Sequence, residues 1–268
     1  MNASEANEIL SECRDGVATI TLNRPEVMNA FSDAMRPALR DAIGEMGARG
    51  DVGCIVITGA GKAFCAGGDI ASMAALQDAD DTAVIERRIT ESGQALQAIR
   101  DTPQPVVAAI NGAAAGAGIN LALACDMRLA SSAAIFSESF VKIGLVPDWG
   151  GFASLTRLVG SAKAMELMMT GDRFDAVEAD RLGLLNRLIP AENFSEEVDA
   201  FARRLANGPR AALEVIKRGV HLGETGTAAG ILAFEAREQT ALFLSDDARE
   251  GMRAFMEKRA PRFNGSGG

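Results

Sequence analysis

The sequence predicts an α/β fold in which a largely parallel sheet with crossover helices is followed by an all-helical tail. Three observations predict it. Short apolar runs at 54–58, 105–110 and 126–130 alternate with segments of helical period, the βαβα order that favours parallel pairing. Two stretches rich in Gly and Ala, at 63–70 and 111–118, follow two of those runs and lead into helices. From about Ser161 helix follows helix, punctuated by Gly171, Gly183, Pro190 and Gly208-Pro209, and no strand-like run of comparable strength occurs there.

The elements follow in order. Val17 to Leu22 alternates as a strand should, ends at the turn Asn23-Arg24-Pro25, and is expected to form a hairpin with residues 8–13. Ser32 caps a helix that runs to about Arg49, with Met35, Leu39, Ile43 and Met46 at helical spacing. Cys54 to Thr58 is a buried strand, and Gly59 to Lys62 turns the chain into the stretch Ala63-Phe64-Cys65-Ala66-Gly67-Gly68-Asp69-Ile70. Residues 77–82 (QDADDT) read as an acidic loop before a helix from about Thr82 to Arg100, stopped by Asp101-Thr102-Pro103. The buried strand Pro105 to Ile110 feeds Asn111 to Gly118 and a helix over 118–124. Asp126–Ala130 and Ala134–Phe136 are further short strands. The end, Asn264 to Gly268, reads as flexible.

Length, charge and cysteines bound the function. At 268 residues the chain can bury a substantial core, and 48% hydrophobic with 24% charged residues describes an ordinary globular protein. A formal net charge of −9 repels a polyphosphate partner on average, so nucleic acid is not expected. Cys13, Cys54, Cys65 and Cys125 show no metal-type spacing, and three lie in apolar segments where a buried thiol is the default, which points to a reducing compartment. The N-terminal residues lack a basic and an apolar leader region, and no segment supplies the roughly 18 apolar residues of a membrane span. A cytoplasmic protein with no membrane partner is expected. No metal constellation is visible.

The chemistry concentrates on the two small-residue loops. A strand that feeds such a turn and a helix start presents unpaired N–H groups, and the helix dipole adds partial positive charge there. An oxygen that becomes negative during a reaction is stabilised in that place. Gly68 N–H and Ala117 N–H are the candidate pair. The alternative for each loop alone is close packing of helix against sheet.

The loops AFCAGGD and NGAAAGAG resemble those of the enoyl-CoA hydratase/isomerase family, the crotonase superfamily. The similarity extends to Asn23-Arg24-Pro25 with Asn29-Ala30-Phe31, to Gly144-Leu145-Val146-Pro147 with Gly150-Gly151, to Arg157-Leu158-Val159-Gly160 and to Phe255-Met256-Glu257-Lys258-Arg259. Each piece is weak alone; their order and spacing together are strong. The resemblance implies a crotonase-like spiral of ββα units over residues 1–200. It also implies a C-terminal helical region, 201–268, used for trimerisation, often as a dimer of trimers. The substrate it implies is a coenzyme A thioester, so that coenzyme A arrives as part of the substrate and no separate cofactor is needed. It makes Gly68 and Ala117 the oxyanion donors. It places Asn29 and Ala30, with Ala66, Asp69 and Ile70, at the adenine side, and Arg24 or Lys258, the latter from the same or another subunit, near the phosphates. A solvated surface charge accounts for either cation equally well.

Hydrating members of the family use two glutamates. Matching without gaps puts Asn120 at the first and Phe140 at the second, and neither an amide nor a phenyl ring exchanges a proton at neutral pH. A carboxylate stands instead at Asp148, a place that is acidic in several relatives, among them double-bond isomerases, isomerases of ring-opened epoxides and an aromatic dehalogenase. The leading expectation is therefore an acyl-CoA double-bond isomerase in which Asp148 moves the proton, with Phe140 and Trp149 near its pocket, although plain core accounts for Trp149 equally well. An Asp148 that merely caps the next helix is the structural alternative. The functional alternatives are a dehalogenase or hydrolase with Asp148 as nucleophile, a weak hydratase, and a non-catalytic acyl-CoA-binding protein. Glu138 is a second acid whose direction the sequence leaves open, and His221, isolated in the tail, reads as structural or solvent-facing.

Overall fold

In the computed structural model, which describes residues 7–263, the chain opens with a hairpin of β1 (Ile9–Arg14) and β2 (Val17–Leu22). Its two-residue turn is Asp15-Gly16, both at positive φ (52° and 77°), the conformation that matches the twist of paired strands. The helix α1 (Met35–Gly47) follows, and Ser32 Oγ accepts from Met35 N–H at 3.1 Å, as a capping hydroxyl should.

Then comes a repeated unit of two strands and a helix. β3 (Cys54–Gly59) and β4 (Ala63–Cys65) lead into α2 (Ile70–Ala79) and α3 (Thr82–Asp101). β5 (Val106–Ile110) and β6 (Ala113–Ala115) lead into α4 (Ala117–Ala124). β7 (Met127–Ser131) and β8 (Ile135–Ser137) lead through a short 3-10 turn, Ser139–Ile143, into α5 (Gly151–Thr170), which is broken at Gly160 (φ 75°, ψ 163°). Each unit gives its first strand to one sheet and its second to another: the orders are β1-β2-β3-β5-β7-β10 and β4-β6-β8-β9. β9 (Arg173–Asp175), α6 (Ala176–Arg181) and β10 (Arg187–Ile189) complete both sheets. The tail is α7 (Phe194–Ala206), α8 (Arg210–Thr225), α9 (Ala228–Phe243) and α10 (Asp246–Met256).

Alternation along β3 divides the core. Ile55 and Ile57 face the large cluster with Met35, Leu39 and Ile43 of α1 and Ile99 of α3, whereas Cys54 and Val56 face Val198, Phe201 and Ala202 of α7. Cys54, Cys65 and Cys125 are buried, and desolvation pushes each thiol up to about 12, so none is a poised nucleophile. The tail is tethered by Lys217 of α8, buried, whose Nζ donates to Ile99 O at 2.6 Å and lies 2.9 Å from Asp126 Oδ2; His221 stands half-buried 3.8 Å from the same carboxylate. No helix among the described residues is long and apolar enough to cross a membrane.

Two expectations are corrected. The acidic stretch 77–82 is not one loop: α2 continues to Ala79, Asp80 turns the chain at φ 50°, and Asp81 caps α3 by accepting from Val84 N–H at 3.1 Å. The segment after Ser161 does hold strands, β9 and β10, each three residues long and recruited by pairing to β8 and β7. Residue 200 lies within α7, whose Val198, Phe201, Ala202 and Ala206 pack in the second core cluster. The end expected to be flexible, Asn264 to Gly268, lies outside the described residues.

Candidate active site

Two neighbouring strands of the small sheet bring the small-residue loops together. β4 and β6 are parallel, with Ala63 opposite Ala113 and Cys65 opposite Ala114, so the residues after each strand emerge side by side. Beyond β4, Phe31 bridges Gly68: Phe31 N–H donates to Gly67 O at 2.7 Å and Asp69 N–H donates to Phe31 O at 3.2 Å. In a parallel bridge the bracketed residue turns its own N–H away from its partner, so Gly68 N–H faces outward from Phe31. Beyond β6, Gly116 N–H donates to Ser137 O at 2.9 Å and Ala117 opens α4, where its N–H has no carbonyl four residues back within the helix.

Glycine makes this approach possible. Gly67 sits at φ 100°, and a Cβ there would lie 2.8 Å from Ala115 O and 3.5 Å from Ala117 N. The Gly68 loop is thus pressed against the N-terminus of α4. Two backbone donors on adjacent loops, one at a helix start, are an arrangement that can stabilise an oxygen gaining negative charge.

A cluster of polar side chains adjoins these donors. Asn120, fully buried on α4, donates its Nδ2 to the backbone carbonyl of Asp148 at 2.9 Å. That fixes the start of α5, where Gly151 N–H also donates to Asp148 O at 3.0 Å. The helix is therefore capped by the Asp148 backbone. Its side chain makes no cap: Oδ1 is buried without a hydrogen-bond partner. Trp149 holds this turn with an unusual backbone, φ 49°, and its ring stacks on Phe31 at 4.4 Å between centroids. Burial pushes the Asp148 carboxyl up to about 6, although Arg36 of α1 pulls the other way. The Phe140 ring stands 3.7 Å from where a Cβ on Gly116 would lie, and so beside the Ala117 turn.

Glu138 joins the same cluster. It is fully buried at the start of the 3-10 turn, and neither carboxyl oxygen has a hydrogen-bond partner among the described residues. Burial first, then the neighbouring Asp148, push it up to about 8, and nearby Asn120, whose amide is bonded to Asp148 O, offsets only part of this. The sequence left the direction of Glu138 open, and sequence reasoning missed Arg36. One signal was available for Arg36: it is a charge at position 36 on the face of α1 that also carries Leu39 and Ile43, and it is 7% exposed.

The residues expected along the coenzyme A side are placed differently. Asn29 is fully buried, donates its amide to Ala60 O (2.9 Å) and Ala63 O (2.8 Å), and accepts from Arg24 N–H (2.9 Å), so its side chain braces the loop. Arg24 is committed as well: its guanidinium meets Glu8 at 3.0 Å, Asp69 at 3.0 Å and Ala30 O at 2.8 Å, leaving no free fork for a phosphate. Asp69 caps α2 by accepting from Ser72 N–H at 3.2 Å, and that bond, together with Arg24, holds its carboxyl below the usual range. Ala30 is buried. Ala66, half-buried, and Ile70, 57% exposed, remain on the rim of the loop. Lys258 is exposed in the turn after α10, and α10 packs on α9.

The sequence profile of the family described as Enoyl-CoA hydratase/isomerase matches residues 12–266. A probable enoyl-CoA hydratase of Rhodobacter capsulatus is 46% identical over 95% of this chain and 96% of its own length. A 1,2-epoxyphenylacetyl-CoA isomerase of Escherichia coli is 36% identical over 96% of this chain and 98% of its own. Among solved structures, a putative enoyl-CoA hydratase from Streptomyces coelicolor superposes with a TM-score of 0.92 at 36% identity, covering 99% of this chain and 97% of that one. With the ββα repeats, the paired loops and these matches spanning nearly its whole length, the chain belongs to the enoyl-CoA hydratase/isomerase family.

Proposed function

We propose that this protein is an acyl-CoA double-bond isomerase in which Asp148 is the acid and base. The relatives' names divide between hydratases and isomerases, so the residues carry the choice. The observation that carries it is the Asp148 side chain: half-buried with Oδ1 shielded from solvent, free of any capping bond, and raised to about 6, within reach of proton exchange at neutral pH. Asn120 and Phe140, at the places of the two hydratase glutamates, bring no titrating group.

The reaction needs one such group. With a 3-enoyl thioester held under Gly68 and Ala117, the Asp148 carboxylate removes a proton from C2. The released electron pair enters the C1–C2 bond, and the thioester oxygen takes the negative charge. Asp148, now protonated, returns the proton at C4 as the double bond settles between C2 and C3. Coenzyme A enters as part of the substrate and leaves with the product.

The test is conversion of a 3-enoyl thioester to its 2-enoyl isomer in deuterated water by the parent and by Asp148→Asn. A fall of about 10²–10⁴-fold with folding unchanged is expected. Unchanged turnover removes Asp148 from the mechanism. In the same assay hydration of crotonyl-CoA should be very slow, and turnover at the level of an efficient hydratase overturns the isomerase reading.

A further inference from the structure

The buried polar atoms without partners are concentrated beside Asp148. Asn120 Oδ1, both oxygens of Glu138, Asp148 Oδ1 and Trp149 Nε1 are all buried and unbonded. All but the indole are acceptors, and the other unpartnered donor at hand, Arg36 Nε, belongs to the cation that faces Asp148, so neither oxygen of Glu138 has a donor in place. Two ionised carboxylates in such a place would each lose hydration and repel the other, with little to replace the lost bonds. One proton resolves both problems, since a neutral carboxylic acid is also a donor. Glu138 is the more deeply buried of the two acids, and the cation nearest the pair, Arg36, faces Asp148.

We propose that Glu138 is a positioning residue that keeps a proton at neutral pH, so that the site holds a single negative charge, on Asp148. This rests on the isomerase reading above and adds to it a second carboxyl that never touches substrate, because it is fully buried. Its proton stays where it is through the cycle. When Glu138 does ionise, at alkaline pH, a fixed negative charge appears beside an enolate that is itself negative, and deprotonation at C2 slows. The charged surroundings are few. Asp148 faces Glu138 from the turn before α5, Arg36 of α1 faces Asp148, and Asp33, Arg88 and Glu91 stand behind Arg36. The order of the two acids, Asp148 near 6 and Glu138 near 8, is that of a pair whose second ionisation is opposed by the first.

The experiment is the pH profile of isomerisation for the parent and for Glu138→Gln, joined to an infrared difference spectrum between the two proteins at pH 7. A bell-shaped profile is expected for the parent. Glu138→Gln should keep the acid limb and lose the alkaline limb. The difference spectrum should show the carbonyl band of a neutral carboxylic acid that Gln removes. An alkaline limb that persists in the variant, or no such band, overturns the proposal. The outcomes separate from those of the parent reading: an active Asp148→Asn sinks the isomerase mechanism, whereas an inactive Asp148→Asn with an unaltered Glu138→Gln profile sinks only this inference. The infrared band needs no turnover at all.

Discussion

The side chain of Asn120 donates to the backbone carbonyl of Asp148 at 2.9 Å, across the junction of α4 and α5. The Asn120 amide therefore helps to position the residue proposed as the acid and base. Gly151 makes room for it: a Cβ on Gly151 would lie 2.3 Å from Asn120 Nδ2. Gly151→Ala should push the Asn120 amide off the Asp148 carbonyl, lowering isomerisation about tenfold and stability by about 1–2 kcal/mol. Combining it with Asn120→Ala should relieve the overlap, so the double variant should be more stable than the sum of the singles predicts. Additive losses in thermal unfolding would show that the two side chains do not couple.

The donor pair depends on Gly67 in the same way. Its φ of 100° disfavours any side chain, and its Cβ would approach Ala115 O to 2.8 Å, backbone that cannot swing aside. Gly67→Ala should part the loops and misalign Gly68 N–H with Ala117 N–H, reducing kcat by about 10²–10³-fold, the scale of losing one oxyanion donor. Because the loss is in the transition state, kcat should fall with KM nearly unchanged. A variant of normal kcat would mean that these two N–H groups do not hold the reacting oxygen.

Assembly is the third expectation. Helices α8 to α10 leave Ile216, Val220, Leu232, Phe243, Phe255 and Met256 at 60–86% exposure, too much apolar surface for helices that end a chain in water. We expect a trimer or a dimer of trimers through this region. Sedimentation at micromolar concentration checks it, and Phe255→Asp with Met256→Asp should shift the protein toward smaller species. A parent protein that sediments as a monomer contradicts the expectation.

The parts of this site that were legible in the sequence are those encoded locally. A buried strand, a glycine-rich turn and a helix start put Gly68 and Ala117 in view, and the motif around Asp148 resembled a known family closely enough to mark that carboxyl. Asn29 and Arg24 matched a different piece of the same resemblance, and the bonds that both side chains make within the protein could not be read from it, because a motif fixes residue types and not the direction of their donors. β9 and β10 escaped notice since three residues have too little pattern of their own, and their pairing comes from strands far earlier in the chain, Ser137 with Arg173 and Leu129 with Arg187. Glu138 and Arg36 gain their meaning only from what folds against them.

The raised carboxyls make stability depend on pH in a definite direction. Glu138 moves from 4.5 to about 8 and Asp148 from 3.8 to about 6, so over the interval between those values the folded protein holds protons that the unfolded chain has released. Stability contributed by these groups is therefore full below about pH 4 and declines as pH rises, at no more than about 1.4 kcal/mol per pH unit for each proton. Glu138→Gln removes the larger of the two dependences. At pH 5 parent and variant should unfold alike, while at pH 9 the variant should be more stable by about 1–3 kcal/mol, because the parent must bury a second charge there and the amide need not. Urea unfolding at pH 5, 7 and 9 and fixed protein concentration measures this, the fixed concentration being needed if subunits dissociate as they unfold. Parallel pH dependences in the two proteins would show that Glu138 is ionised throughout, with its charge met by a donor other than those described.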